Sequence, residues 1–163
     1  MDSAFLLALI ATCAPQVDTG TALALIAVES ATNPYAIGVV GGILDRHPQH
    51  RAEAIATAQA LKTHGWNFSV GIAQINVHNF DRLGLSIEDA FDPCANLTAM
   101  QTILIECFDR AASQHASQPA LRHALSCYYS GNFVTGFEHG YVRRVAKAAA
   151  RQPRISTTPM EAP

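Results

Sequence analysis

Apolar residues recur at helical spacing along most of the chain, and no segment keeps the strict alternation of a half-buried strand. "FLLALIA" (5–11) opens the pattern, and "DTG" (18–20) caps a second, almost wholly apolar helix over about residues 21–30. Asn33-Pro34 blocks its continuation, because proline disfavours helical backbone in the residue before it. A glycine-containing loop follows, with Gly38, Gly41 and Gly42, and then an alanine-rich helix, "HRAEAIATAQALKTHG", stopped by Gly65. "WNFSVGIAQINVHNFDRLG" reads as an apolar turn and one or two helical turns ending at Gly84. Asp92-Pro93 caps the longest helix, "CANLTAMQTILIECFDRAASQH". "SQPALRHALSCYYSG", closed by Gly131, and "FEHGYVRRVAKAAARQ" complete the set. The pattern predicts one all-α domain over residues 1–150, and a polar, proline-rich tail over 151–163.

Composition agrees with a folded globule: 49% of the 163 residues are apolar and 15% charged. The net charge of −2 and the presence of only two lysines, Lys62 and Lys147, argue against a nucleic-acid partner. "FLLALIA" has the greasiness of a leader peptide, but "MDSA" before it carries an aspartate and no cation. It is therefore read as the first helix of the domain. No apolar run reaches the ~20 residues that span a bilayer.

Cys13, Cys94, Cys107 and Cys127 lack the spacing of a zinc site. Cys13 and Cys94 fall at helix ends, where a disulfide can close a long loop; buried free thiols fit the apolar content equally well. His47, His50, His64 and His78 form no helical metal motif, so no metal or cofactor is expected. Cys127 with His123 has no flanking glycine turn of the kind that would serve a thiol nucleophile.

The unusual residue is Glu29, one carboxylate ending an apolar helix. Burial and the negative end of the helix dipole both raise its pKa, as a general acid working near neutral pH requires. "GIAQIN" (71–76) and "CYYSGN" (127–132) set Gln74, Asn76, Tyr128, Tyr129 and Asn132 in apolar surroundings. Amides and phenols so placed suit the hydroxyl and acetamido groups of sugars.

"ES" followed by "NPYAI", "GIAQIN", "YYSGN" and "GYVRRV", in that order, resembles the lysozyme-like lytic transglycosylases. The closest branch is the peptidoglycan-cleaving component of type IV secretion and conjugation systems, which shares "CAP", "AIGV", "LGLSIEDAFDPCANL" and "CYYSGNF". The likeness covers about residues 10–145. It implies a lysozyme-like helical globule of the goose-type kind, as in soluble lytic transglycosylase catalytic domains, with a substrate groove.

It further implies that Glu29 is the catalytic acid, Gln74 a substrate contact, and Tyr128 the tyrosine that approaches the carboxylate. Asn76, Tyr129 and Asn132 would be further sugar contacts, although Tyr129 stands where many relatives carry asparagine. Ser30 is read as a structural hydroxyl at the helix end. The implied partners are peptidoglycan glycan strands and type IV secretion components, and the implied location is the periplasm.

Two departures stand out. Gly38 stands where many lytic transglycosylases carry serine, although the secretion-system branch also tends to read "AIG", and an insertion of about thirty residues separates "AIGVV" from "GIAQIN", placed to shape a rim of the groove. A single acid suits a reaction that consumes no water. A hydrolytic muramidase, needing a second carboxylate, and a non-catalytic peptidoglycan-binding assembly factor are the alternatives.

Overall fold

The computed structural model describes residues 1–152 of the chain; residues 153–163, most of the expected tail, lie outside the described residues. The order is α1 (Ser3–Cys13), α2 (Thr19–Glu29), β1 (Ile37–Val39), α3 (Arg51–Thr63), β2 (Phe68–Val70) and β3 (Ile75–Asn76). A 3₁₀ turn (Val77–Asn79) then leads to α4 (Phe80–Leu83), α5 (Ile87–Ala90), α6 (Pro93–Ala112), α7 (Ser117–Ser130), α8 (Thr135–Glu138) and α9 (Tyr141–Ala150). The fold is mostly helical, as the apolar spacing predicts.

Local chemistry sets the boundaries. Asp18 accepts from the Thr21 amide at 2.8 Å and Asp92 from the Ala95 amide at 2.8 Å, so each caps its helix. Gly131, at φ 79°, ends α7 in the left-handed conformation that costs glycine least. α2 stops at Glu29, one residue short of the predicted end. Ala31 and Thr32 then take φ of 50° and 66°, so the chain has already turned when it reaches Asn33-Pro34.

α6 is the central helix. It buries Leu97, Met100, Ile103 and Leu104 and carries α7 against one flank, while α2 packs on α9. α1 packs against the core through Leu6, Ile10 and Cys13, as expected of a first helix rather than a free apolar segment. All four cysteines are paired. Cys13–Cys94 ties the end of α1 to the start of α6, and Cys107–Cys127 ties α6 to α7.

The pattern did not predict a sheet, yet β1, β2 and β3 form a small antiparallel one, in that order. Ile37 pairs with Val70, Val39 with Phe68, and Val70 with Ile75. Strands of two or three residues are too short to display an alternation. The sheet brackets the insertion, whose α3 is held to α5 by Arg51 donating to the Glu88 carbonyl at 2.7 Å.

Candidate active site

Three segments meet at the end of α2. Ser30 Oγ donates to the Ile72 carbonyl at 2.7 Å, fastening the helix end to the "GIAQIN" segment and giving Ser30 the structural role expected of it. Tyr128 donates to the Ala73 carbonyl at 2.6 Å, fastening α7 to the same segment. Asn96, fully buried on α6, holds the segment from beneath. Its amide nitrogen donates to the carbonyls of Val70 (3.0 Å) and Ala90 (2.7 Å), and its oxygen accepts from the Ala73 amide (2.8 Å).

Gly71 makes this close approach possible. At φ 81° a Cβ would press on the Asn96 amide and lie 2.7 Å from the Ala90 carbonyl, so only glycine fits there. Asn96 escaped the sequence reading. Its signal was that it lies on the apolar stripe of α6, where a polar residue needs a reason.

The groove above this junction is a cavity of about 790 Å³, lined by Glu29, Gln74, Asn76, Tyr128 and Tyr129 among others. Asn67 and Ser69, near the end of the insertion, form part of its wall together with Val39 and Val40, which precede it, so the insertion does border the groove.

Burial pushes the Glu29 carboxyl up to about 7 from an ordinary 4.5, against the opposing pull of the Tyr141 hydroxyl and, more weakly, of the Arg144 cation. Tyr141 is itself buried and donates to Glu29 Oε1 at 2.5 Å, which favours the ionised acid once its proton has left. Both Tyr128 and Tyr141 have their hydroxyl pKa raised, first by burial and then by the charge of Glu29, so each keeps its proton.

The sequence-predicted residues divide accordingly. Tyr128 lies close enough to sense Glu29, but its hydroxyl serves Ala73; the direct partner of the acid is Tyr141, to which the sequence reading gave no role. Tyr129 stacks on Tyr141, with ring centroids 4.5 Å apart, and its hydroxyl lies 3.2 Å from His139 Nδ1.

Gln74, held at φ 53°, donates through its amide nitrogen to the carbonyls of Ala36 and Gly71, both at 3.0 Å. Its oxygen is thereby aimed toward Gly38, where a Cβ would come within 2.8 Å of it. The missing serine therefore has a physical reason: the glutamine amide occupies that space. Asn76 spends its nitrogen on Asn67 (2.8 Å) and Ser69 (3.2 Å) and its oxygen on the His78 amide (3.0 Å). Asn132 caps the loop into α8, accepting from the Val134 and Thr135 amides, while Ser130 and Gly131 beside it line the groove.

A second carboxylate also reaches the groove, again unforeseen. Glu106 on α6 accepts from Arg82 Nη1 through both oxygens, at 3.1 and 2.9 Å. It lies 77 residues from Glu29, outside every local motif, so nothing in its neighbours announces it. No cluster of three or more His, Cys, Asp or Glu side chains among the described residues is arranged to hold a metal ion.

Comparison with known proteins finds relatives for most of the chain. A family model described as "Transglycosylase SLT domain" matches residues 7–150. The type IV secretion system protein virB1 of Brucella suis biovar 1 is 48% identical over 156 residues, covering 91% of this chain and 66% of the relative. The protein of the same name from Brucella abortus biovar 1 is 49% identical over 144 residues, covering 84% and 60%. The protein virB1 of Agrobacterium fabrum is 34% identical over 152 residues, covering 91% and 61%. The chain thus spans less than two thirds of the length of these relatives. No solved structure matches it significantly.

Proposed function

The chain belongs to the transglycosylase SLT domain family, of lysozyme-like fold, and from that membership we propose that it is a peptidoglycan lytic transglycosylase. The bond cleaved is the β-1,4 link from N-acetylmuramic acid to N-acetylglucosamine, and the product carries a 1,6-anhydro-muramic end. The observation that carries this reading is Glu29, a groove carboxyl raised to about 7 with a tyrosine hydroxyl already bonded to it. Such a group holds a proton at neutral pH and is stabilised on losing it.

In the proposed reaction Glu29 gives its proton to the glycosidic oxygen as the bond to the muramic C1 breaks. The N-acetyl oxygen of the same sugar attacks C1 and holds the positive centre internally. The ionised Glu29, kept in place by Tyr141, then takes the proton from the muramic 6-hydroxyl, whose oxygen closes on C1 and releases the N-acetyl group. Glu29 regains its starting state and no water is consumed. Gln74 Oε1, its amide nitrogen already committed, is the acceptor offered to a sugar hydroxyl or acetamido N–H. Tyr129 offers an aromatic face, and Tyr128 and Asn76 form the wall.

Hydrolysis by the ordinary two-acid route needs a second carboxylate beside Glu29, as nucleophile or as the base that activates water. Glu106 is the acid of the lining available for that role, and both its oxygens are engaged by Arg82, which favours the lytic reading. The virB1 relatives named for type IV secretion suggest the setting: local opening of the cell wall in the periplasm for assembly of such a system. No helix among the described residues is long and apolar enough to cross a membrane.

Mass spectrometry of the fragments released from purified sacculi tests the chemistry. The expected ends are anhydro-muramic, one water lighter than reducing ends. Reducing ends from the wild-type protein, lost in Glu106→Gln, establish the hydrolase instead.

A further inference from the structure

The charges on the groove wall do not cancel. Arg82 and Glu106 neutralise each other, with Arg82 Nε also donating to Asn79 Oδ1 at 2.9 Å. Glu29 carries its proton below about pH 7. Arg110, one turn beyond Glu106 on α6, also lines the groove and has no ion-pair partner among the described residues. Its guanidinium carbon lies 5.3 Å from the centroid of the Phe133 ring, so the cation rests on an aromatic face that limits where it points. Among the Asp, Glu, Lys and Arg side chains of the lining, Arg110 is the one whose charge is unanswered.

The backbone of a glycan is neutral and gives a lone cation nothing to pair with. Muramic acid differs from glucosamine by its 3-O-lactyl arm, and that arm carries carboxylates, either its own or those of an attached peptide stem. We propose that Arg110 binds a carboxylate borne on the lactyl arm of a muramic acid residue in the groove, and so makes the protein selective for charged glycan. This rests on the groove being a peptidoglycan site. An arginine positioned by stacking loses less freedom on engaging a carboxylate than a free lysine would.

The test compares three substrates: strands carrying peptide stems, the same strands with stem carboxyls converted to methylamides, and strands stripped by an amidase to bare lactyl carboxylates. For each charged strand, kcat/KM is divided by the value on the neutral methylamide strand. Arg110→Ala is expected to lower that ratio about three- to tenfold for one of them, with Arg110→Lys retaining part of it. The strand affected assigns the carboxylate to the stem or to the lactyl group. Ratios equal to the wild type on both charged strands overturn the proposal. A role only in steadying the end of α6 would move the melting temperature and leave the ratios alone.

If the wild-type protein makes no anhydro ends, the reaction reading falls separately. Co-sedimentation of Glu29→Gln and Glu29→Gln/Arg110→Ala with the three strands then still decides the matter. A preference for a charged strand that vanishes with Arg110 sustains the proposal, and equal binding overturns it.

Discussion

Glu29 and Glu106 line the same groove in opposite surroundings. Glu29 is largely desolvated at the end of an apolar helix, with a neutral tyrosine as its bonded partner, so its proton is retained to about pH 7. Glu106 is exposed on α6, with both its oxygens engaged by the Arg82 guanidinium. The residue type is the same; the dielectric and the partner assign the role. A second acid in a glycan groove is therefore no sign of a two-acid mechanism until its partners are known.

The sharpest way to break that contrast is to remove each acid in turn. Glu29→Gln is expected to cost about a thousandfold or more in release of fragments from sacculi, within the range for loss of a general acid. Glu106→Gln, which loses only an exposed pair, should cost about threefold or less. Chromatography of the released muropeptides measures both, and comparable losses would erase the distinction.

The same substitution has a signature in stability. The folded protein holds the Glu29 proton more tightly than the unfolded chain does. The contribution of that acid is thus fully present below about 4.5 and is lost as pH rises through about 7. Glu29→Gln should therefore stabilise the protein by about 3 kcal/mol above pH 8, with the gain fading to nothing below pH ~4.5. Denaturant melts at pH 4 and pH 8.5 check it, and a gain independent of pH would deny that Glu29 is the source.

Tyr141→Phe removes the donor that steadies the ionised acid. The expected loss in kcat is about ten- to a hundredfold, the worth of a hydrogen bond to a charged group. Because that bond lowers the Glu29 pKa, the alkaline limb of the pH–rate profile should also move to higher pH. A limb that stays in place would assign Tyr141 to packing alone.

The smallest effect is expected at Gly38→Ser. The new side chain meets Gln74 Oε1, whose amide is pinned on its other side, so the amide must shift. KM should rise about two- to fivefold with little change in melting temperature, since the displaced atom is the far end of one side chain. An unchanged KM would mean that Gln74 does not contact substrate.

The helices were legible because apolar spacing and caps are local: Asp18, Asp92 and Gly131 act within a few residues of themselves. Glu29 was legible for the same reason, since the greasiness of its own helix betrays its burial. The three short strands gave no period to read. Tyr141 falls within the "GYVRRV" motif, but its role was not readable there: it sits 112 residues from the acid it serves, at the start of a helix whose pattern explains a buried aromatic as core.

What the sequence determined by itself is the helical domain, the position of one desolvated acid, and the order of the segments around it. Hydrophobic periodicity and capping are short-range and survive in a one-dimensional text. Which tyrosine bonds the acid, which cysteines pair, why Gly38 has no side chain, and which second carboxylate is disarmed by an arginine were decided only by the tertiary structure. Each of these depends on atoms that folding brings within a few ångströms, and hydrogen bonds, disulfides and steric exclusion act only at that range.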